Sequence, residues 1–176
     1  MLKLTLLLSL LWPVIASSQC EYTTDKIDEF TKMRSVSTEQ ARVGVFTMGE
    51  PQLYMALSRF EKDGEVAYYI YASLDEIKQH TCLSTGSKLY ILDYRGEVVE
   101  LDYNGEVDCG DMTFAGNYRV SGYFPTTPDQ LKLLKGRNID KVRMVTADGI
   151  YSIKMRTNNK GFGVKYFERA VPCVLD

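Results

Sequence analysis

Histidine is almost missing from this chain: His80 is the only one. That rules out sites built on two imidazoles, and it leaves any histidine-based mechanism a single candidate. The pattern H-E-x-x-H is absent, as are a G-x-S-x-G elbow and a glycine-rich phosphate loop. No two cysteines have C-x-x-C spacing, which argues against a zinc knuckle and against a thioredoxin-like redox pair. A strong excess of charge is lacking too. The formal net charge is −2, too mild to imply a nucleic-acid or membrane-surface partner. Beyond residue 18 no stretch stays apolar for about 20 residues, so no transmembrane helix is expected there. Long repeats, low-complexity runs and linkers are also missing.

The first residues carry a clear address. Met1-Leu2-Lys3 is a short basic start, Leu4 to Trp12 is apolar apart from Thr5 and Ser9, and Val14 to Ser18 supplies small residues. This is a secretory signal peptide, with cleavage expected after Ser18 and Gln19 as the new N-terminus. The alternative is a lipoprotein acylated at Cys20, although a lipobox wants a small residue where Gln19 stands. Residues 19–176 are then expected to form one domain, secreted or periplasmic, with enough chain for a sizeable core.

All four cysteines, Cys20, Cys82, Cys109 and Cys173, lie beyond the signal. An even count in an exported chain suggests two disulfides, with three connectivities open. Cys82–Cys109 would close a loop around one hairpin. Cys20–Cys173 would tie the two ends, and that pairing is the expected one.

Local patterns favour β-hairpins. Val43, Val45 and Thr47 begin a strand, and Leu53, Met55 and Leu57 alternate with polar or small neighbours. Glu61 to Glu65 is a hairpin loop around Asp63-Gly64. Val66 to Ala72 is apolar on both faces and is expected to run centrally, covered on each side. Ser73 to His80 reads as a helical turn capped by Ser73. Leu89 and Ile91 share one face before an Asp93 to Gly96 turn, Val99, Leu101 and Tyr103 face inward after it, and Asn104-Gly105 is a strong two-residue turn signal. Met112 to Phe124 is strand-like, ended by Pro125. Residues 19–37 are compatible with a short helix or with an extended first strand.

Thr127-Pro128-Asp129-Gln130 is a capping box with proline at the first helical position. Leu131 and Leu134 give the helix its apolar stripe, and Gly136 offers a left-handed stop. Val142, Met144 and Thr146, then Tyr151, Ile153 and Met155, alternate as a hairpin around Ala147-Asp148-Gly149. Phe162, Tyr166 and Ala170 share the face of a terminal helix that Pro172 stops. The fold expected is α+β, mainly antiparallel sheet built from hairpins with two or three short helices. A single curved sheet with helices on one face is the first choice; a β-sandwich or partly closed barrel is the alternative.

Some of these segments carry a resemblance. Asp28-Glu29-Phe30-Thr31 with Val36-x-Thr38-Glu39, the run Gln130-Leu131-x-x-Leu134-Lys135-x-x-Asn138-Ile139-x-Lys141-Val142-Arg143, Thr146-x-Asp148-Gly149 and the final Cys173-Val174-Leu175 resemble small uncharacterised secreted proteins of Bacteroidetes-type bacteria. The resemblance implies export. It carries no known activity and transfers no functional residue.

The chemistry of the candidates is thin. His80 reads as a surface histidine at a turn, and Cys82 as a disulfide partner rather than a nucleophile. Asp93, Glu97, Glu100, Asp102, Glu106, Asp108 and Asp111 make one segment acidic. Asp102-x-Asn104-x-Glu106 alternates oxygen ligands, but Val107 stands where a calcium loop needs glycine. No metal or cofactor is expected. A carboxylate pair from this segment is the basis of the enzymatic alternative, a small secreted hydrolase. The C-terminal third is basic, and Lys141, Arg143, Lys154 and Arg156 fall on outward strand positions as an interaction patch for an envelope protein or a glycan. Tyr68, Tyr69 and Tyr71 lie in one strand and Tyr118 and Tyr123 in another, an arrangement that suits core packing or a sugar-stacking row. The leading reading is a non-catalytic binding or structural module of the envelope or extracellular space.

Overall fold

The computed structural model describes residues 20, 22–44, 50–113, 115–156 and 163–175. The signal peptide, Gln19, Val45, Thr47 and Phe162 lie outside them.

The longest hairpin follows directly from its sequence. Strands β1 (Tyr22–Ile27), β2 (Arg34–Thr38) and β3 (Ala41–Arg42) lead into β4 (Gln52–Lys62) and β5 (Glu65–Ile77). Lys62 pairs with Glu65, so the loop is only Asp63-Gly64. Both residues are left-handed, at φ 53° and 84°, as the tightest hairpin turns require. Along β4, Leu53, Met55 and Leu57 point one way and are fully buried, as are Ile70, Ala72 and Leu74 of β5.

Then come β6 (Lys88–Asp93), β7 (Val98–Asp102), β8 (Asp111–Met112), β9 (Tyr118–Thr126), α1 (Pro128–Lys135), β10 (Ile139–Val145), β11 (Ile150–Lys154), α2 (Tyr166–Ala170) and α3 (Pro172–Leu175). One antiparallel sheet runs β1-β2-β4-β5-β9-β8, with β3 also on β4; the other runs β11-β10-β6-β7. The expectation of a single sheet is therefore corrected. Each hairpin is as read, but the chain changes sheets after β5, β7 and β9. Both inner faces meet in one core, where Leu57, Ile70 and Phe124 of the first sheet join Leu89, Ile91 and Met144 of the second. Leu131, Leu134, Phe167 and Val174 add the helices to it. The architecture is mainly β, with helices of eight, five and four residues.

Several local expectations change. Residues 22–27 are a strand. Ser73 to Ile77 continues β5 instead of forming a helical turn; the Ser73 hydroxyl donates to Asp75 rather than capping a backbone amide. A bulge between Leu74 and Ile77 absorbs the left-handed Glu76, φ 62°. Asn104-Gly105 joins no hairpin, because β7 and β8 belong to different sheets. The Tyr103 ring occupies the space beside Gly105, and its hydroxyl donates to the Glu106 carbonyl, 2.8 Å. Pro125 lies within β9, opposite Tyr69 and beyond the end of β8, where its missing N–H interrupts no ladder. Pro172 starts α3 rather than closing the last helix. Gly136 is not left-handed, φ −82°, whereas the Thr127–Gln130 capping box forms as read.

Both expected disulfides are present. Cys20 and Cys173 have Cα atoms 5.5 Å apart, and those of Cys82 and Cys109 are 3.8 Å apart. Such bonds persist in an oxidising compartment. No helix among the described residues is long and apolar enough to cross a membrane.

Candidate functional site

Strand alternation turns a second set of β4, β5 and β9 side chains away from the core. Register lines them up. Ser58 faces Tyr69, which faces Pro125; Ala56 faces Tyr71, which faces Tyr123; Tyr54 faces Ser73, which faces Ser121. Ala56, Ser58, Ser73 and Ser121 thus place small side chains beside the rings, while Tyr71 and Tyr123 face each other directly. Tyr71 and Tyr123 have centroids 5.1 Å apart, Tyr69 and Tyr123 6.1 Å, and Phe60 closes the group against Tyr69 at 5.5 Å. Most of these contacts are edge-to-face, the geometry that the ring quadrupole favours.

This outer face is partly open. Tyr123 is 44% exposed, while Tyr54, Tyr69, Tyr71 and Phe60 are half-buried. The covered expectation for Val66 to Ala72 is thus corrected: β5 is central in its sheet, but among the described residues its outer face is partly exposed at Tyr69 and Tyr71. Between the rings lie buried serines. The Ser58 hydroxyl meets that of Ser37 at 2.8 Å. At one end of the face Arg119 donates twice to the Asp75 carboxylate, at 2.7 and 2.5 Å. At the other, Phe60, Tyr69 and Tyr123 border a shallow groove of about 830 Å³ that reaches Met33 and the tip of the β4–β5 hairpin. Burial raises the Tyr123 phenol above its ordinary pKa, with the neighbouring Tyr71 adding to the effect.

The outward residues of the four-stranded sheet form rows as well. Lys154 opposes Lys141, which opposes Leu92; Ser152 opposes Arg143, which opposes Tyr90 and then Glu100; Val145 opposes Lys88, which opposes Asp102. Lys141 and Lys154 stand directly opposite one another, with Arg143 two residues along β10 and Arg156 two residues beyond Lys154, past the end of β11. Lys88 bonds to both Asp102 and Glu100, and these bonds raise its pKa.

The acidic segment disperses. Asp93 is buried, accepts from the Arg95 and Glu97 amides, and faces Arg137 at 3.4 Å. Glu97 also pairs with Arg137, and Asp108 accepts from the Gly110 amide. No group of three or more metal-ligating His, Cys, Asp or Glu side chains occurs among the described residues. His80 is exposed and lies edge-on to Tyr118, centroids 5.3 Å apart. Cys82 is bonded to Cys109, which removes it as a nucleophile.

What the sequence reading missed is Phe60, Tyr54 and the serines between the rings. Their signal was the β4–β5 register, which the Asp63-Gly64 turn implies once both strands are taken to full length. Tyr68 and Tyr118 do not belong to the face; both pack against the core. No protein-family model, curated protein or solved structure matches this chain.

Proposed function

We propose that the protein is an exported, non-catalytic binding module of the envelope or extracellular space, and that the tyrosine face holds an uncharged glycan chain. The observation that carries this reading is the contiguous Phe60–Tyr69–Tyr123–Tyr71 ring group on a sheet face that is partly exposed among the described residues. Rings offer flat apolar area to the C–H faces of sugars, and phenol hydroxyls can supply hydrogen bonds. The two disulfides and the resemblance to secreted proteins support export. The α+β description narrows to a mainly β scaffold that presents this face. The carboxylate-hydrolase alternative gains no support, because the acids of the β6–β7 hairpin are held by Lys88 and Arg137.

The test is calorimetric titration against a panel of neutral oligosaccharides, using wild type and Tyr71→Ala/Tyr123→Ala. Binding by wild type and a loss of roughly tenfold or more in the variant support the proposal. Absence of neutral-glycan binding, or a face occupied by a second copy in sedimentation experiments, overturns it.

A further inference from the structure

Ion pairing leaves an uneven remainder in the basic C-terminal third. Arg137 is held by Asp93 and Glu97, Lys132 by Asp129 and Lys165 by Glu168. Lys141 and Lys154 have no such partner among the described residues; they stand directly opposite one another across β10 and β11. Like charges at opposed positions work against the sheet. Arg143 lies two residues along on the same face, steadied by a 3.0 Å bond from its Nε to the Ser152 hydroxyl. Arg156 lies two residues beyond Lys154. Strand rise spaces Lys141 and Arg143 about 6.6 Å apart, so Lys141, Arg143 and Lys154 form a strip along an edge of the sheet, and Arg156 follows beyond the end of β11.

From this strip we infer a second binding site, for a linear acidic polysaccharide of the uronate type. It is independent of the tyrosine face and points the other way, because the two sheets turn their inner faces to a common core. Linearity follows from what flanks the strip. Two strands away from β10, β7 presents Glu100 and Asp102 on the same outward face. A flat anionic surface, such as a lipid bilayer, would press against those carboxylates. A single polyanionic chain lying along β10 and β11 avoids them. Tyr90, beside Arg143 in register, adds a ring against which a sugar can pack. The slight negative charge of the whole protein does not oppose this, since at physiological salt charges are felt over only about 8 Å.

The probe is immobilised polygalacturonate, with its methyl ester as the uncharged control. Wild type binds the acid and not the ester, and binding falls steeply as salt shortens the screening length from about 30 Å at 0.01 M. Lys141→Ser/Lys154→Ser weakens binding by roughly tenfold or more, while Lys141→Arg/Lys154→Arg retains it. The Ser variant melts no lower than wild type, because it removes a repulsive pair, so loss of binding cannot be laid to misfolding. Tyr71→Ala/Tyr123→Ala binds polygalacturonate as wild type does. Three results overturn the inference: no binding by wild type at low salt, equal binding by the Ser variant, or tighter binding to phosphatidylglycerol vesicles or to polyglutamate than to polygalacturonate.

Discussion

The Tyr22 hydroxyl donates to the backbone carbonyl of Cys173, 3.2 Å away and 151 residues distant in sequence. Beside it the Cys20–Cys173 disulfide makes the same connection covalently. Strand β1 needs both: it is mostly exposed and, among the described residues, pairs only with β2. Replacing both cysteines with serine should cost roughly 2–4 kcal/mol, chiefly by freeing the unfolded chain. Hydrogen exchange should show β1 and α3 losing protection first while β4 and β5 keep theirs. Uniform loss across both sheets would show that the bond serves the whole fold instead.

Asp93 does three tasks at the β6–β7 turn: it accepts two backbone amides and it faces Arg137. It is only 5% exposed. Asp93→Ala should destabilise by about 2–4 kcal/mol in urea unfolding, since amides and a guanidinium lose their acceptor together. Glu97 still holds Arg137, which keeps the loss below that of a wholly stranded charge. Asp93→Asn, which retains one acceptor oxygen, should lose less.

Alkaline pH should unfold the protein through Tyr166. Burial pushes its phenol well above the ordinary value, and a contact with Thr38 offsets only part of this. The Thr38 hydroxyl already accepts from the Leu57 amide, and among the described residues the Tyr166 hydroxyl has no partner in good hydrogen-bond geometry. A raised folded pKa means stability that is complete below the unfolded value of about 10 and is lost as pH climbs from there towards the folded one. Urea midpoints should therefore be flat near pH 8 and fall above about pH 10. Tyr166→Phe should flatten that fall and stay within about 1 kcal/mol of wild type at neutral pH. An unchanged alkaline slope in the variant would shift the cause to Tyr103, Tyr123 and Tyr151, which burial also raises.

Phe124 is fully buried and stacks on Tyr103 with centroids 5.6 Å apart. Phe124→Ala should cost about 3–5 kcal/mol, whereas Tyr123→Ala, its neighbour on the open face, should cost little more than its aromatic contacts, about 0.5–1.5 kcal/mol. Thermal melts of the two variants compare the packed and open faces of one strand. Equal losses would mean that the tyrosine face is structural rather than available for binding.

Features written in consecutive residues were legible beforehand. The Thr127 capping box needs residues 127–130 alone. The Asp63-Gly64 turn needs two left-handed residues, and Asp-Gly supplies them. The basic strip was legible too, because a tight turn at Ala147–Gly149 sets which residues of β10 and β11 face each other. The Asn104-Gly105 signal misled, since turn chemistry states that the chain bends there and not which sheet it enters next. Ser73–Glu76 satisfied a helix-capping pattern, but the ladder with β4 and β9 outweighed it, with Leu74 and Ile77 buried.

By itself the sequence determined which residues share a face, since strand alternation and helix caps are short-range and act within a few bonds. It also determined that the cysteines come in pairs. Only the tertiary structure decided which faces meet. Phe60 and Tyr123 are far apart in the chain, and their rings come 6.1 Å apart because β5 lies between their strands. The same packing made one side of β5 core and left the other open. The core needs only one face of each sheet, and long-range burial rather than local composition settled which face that was.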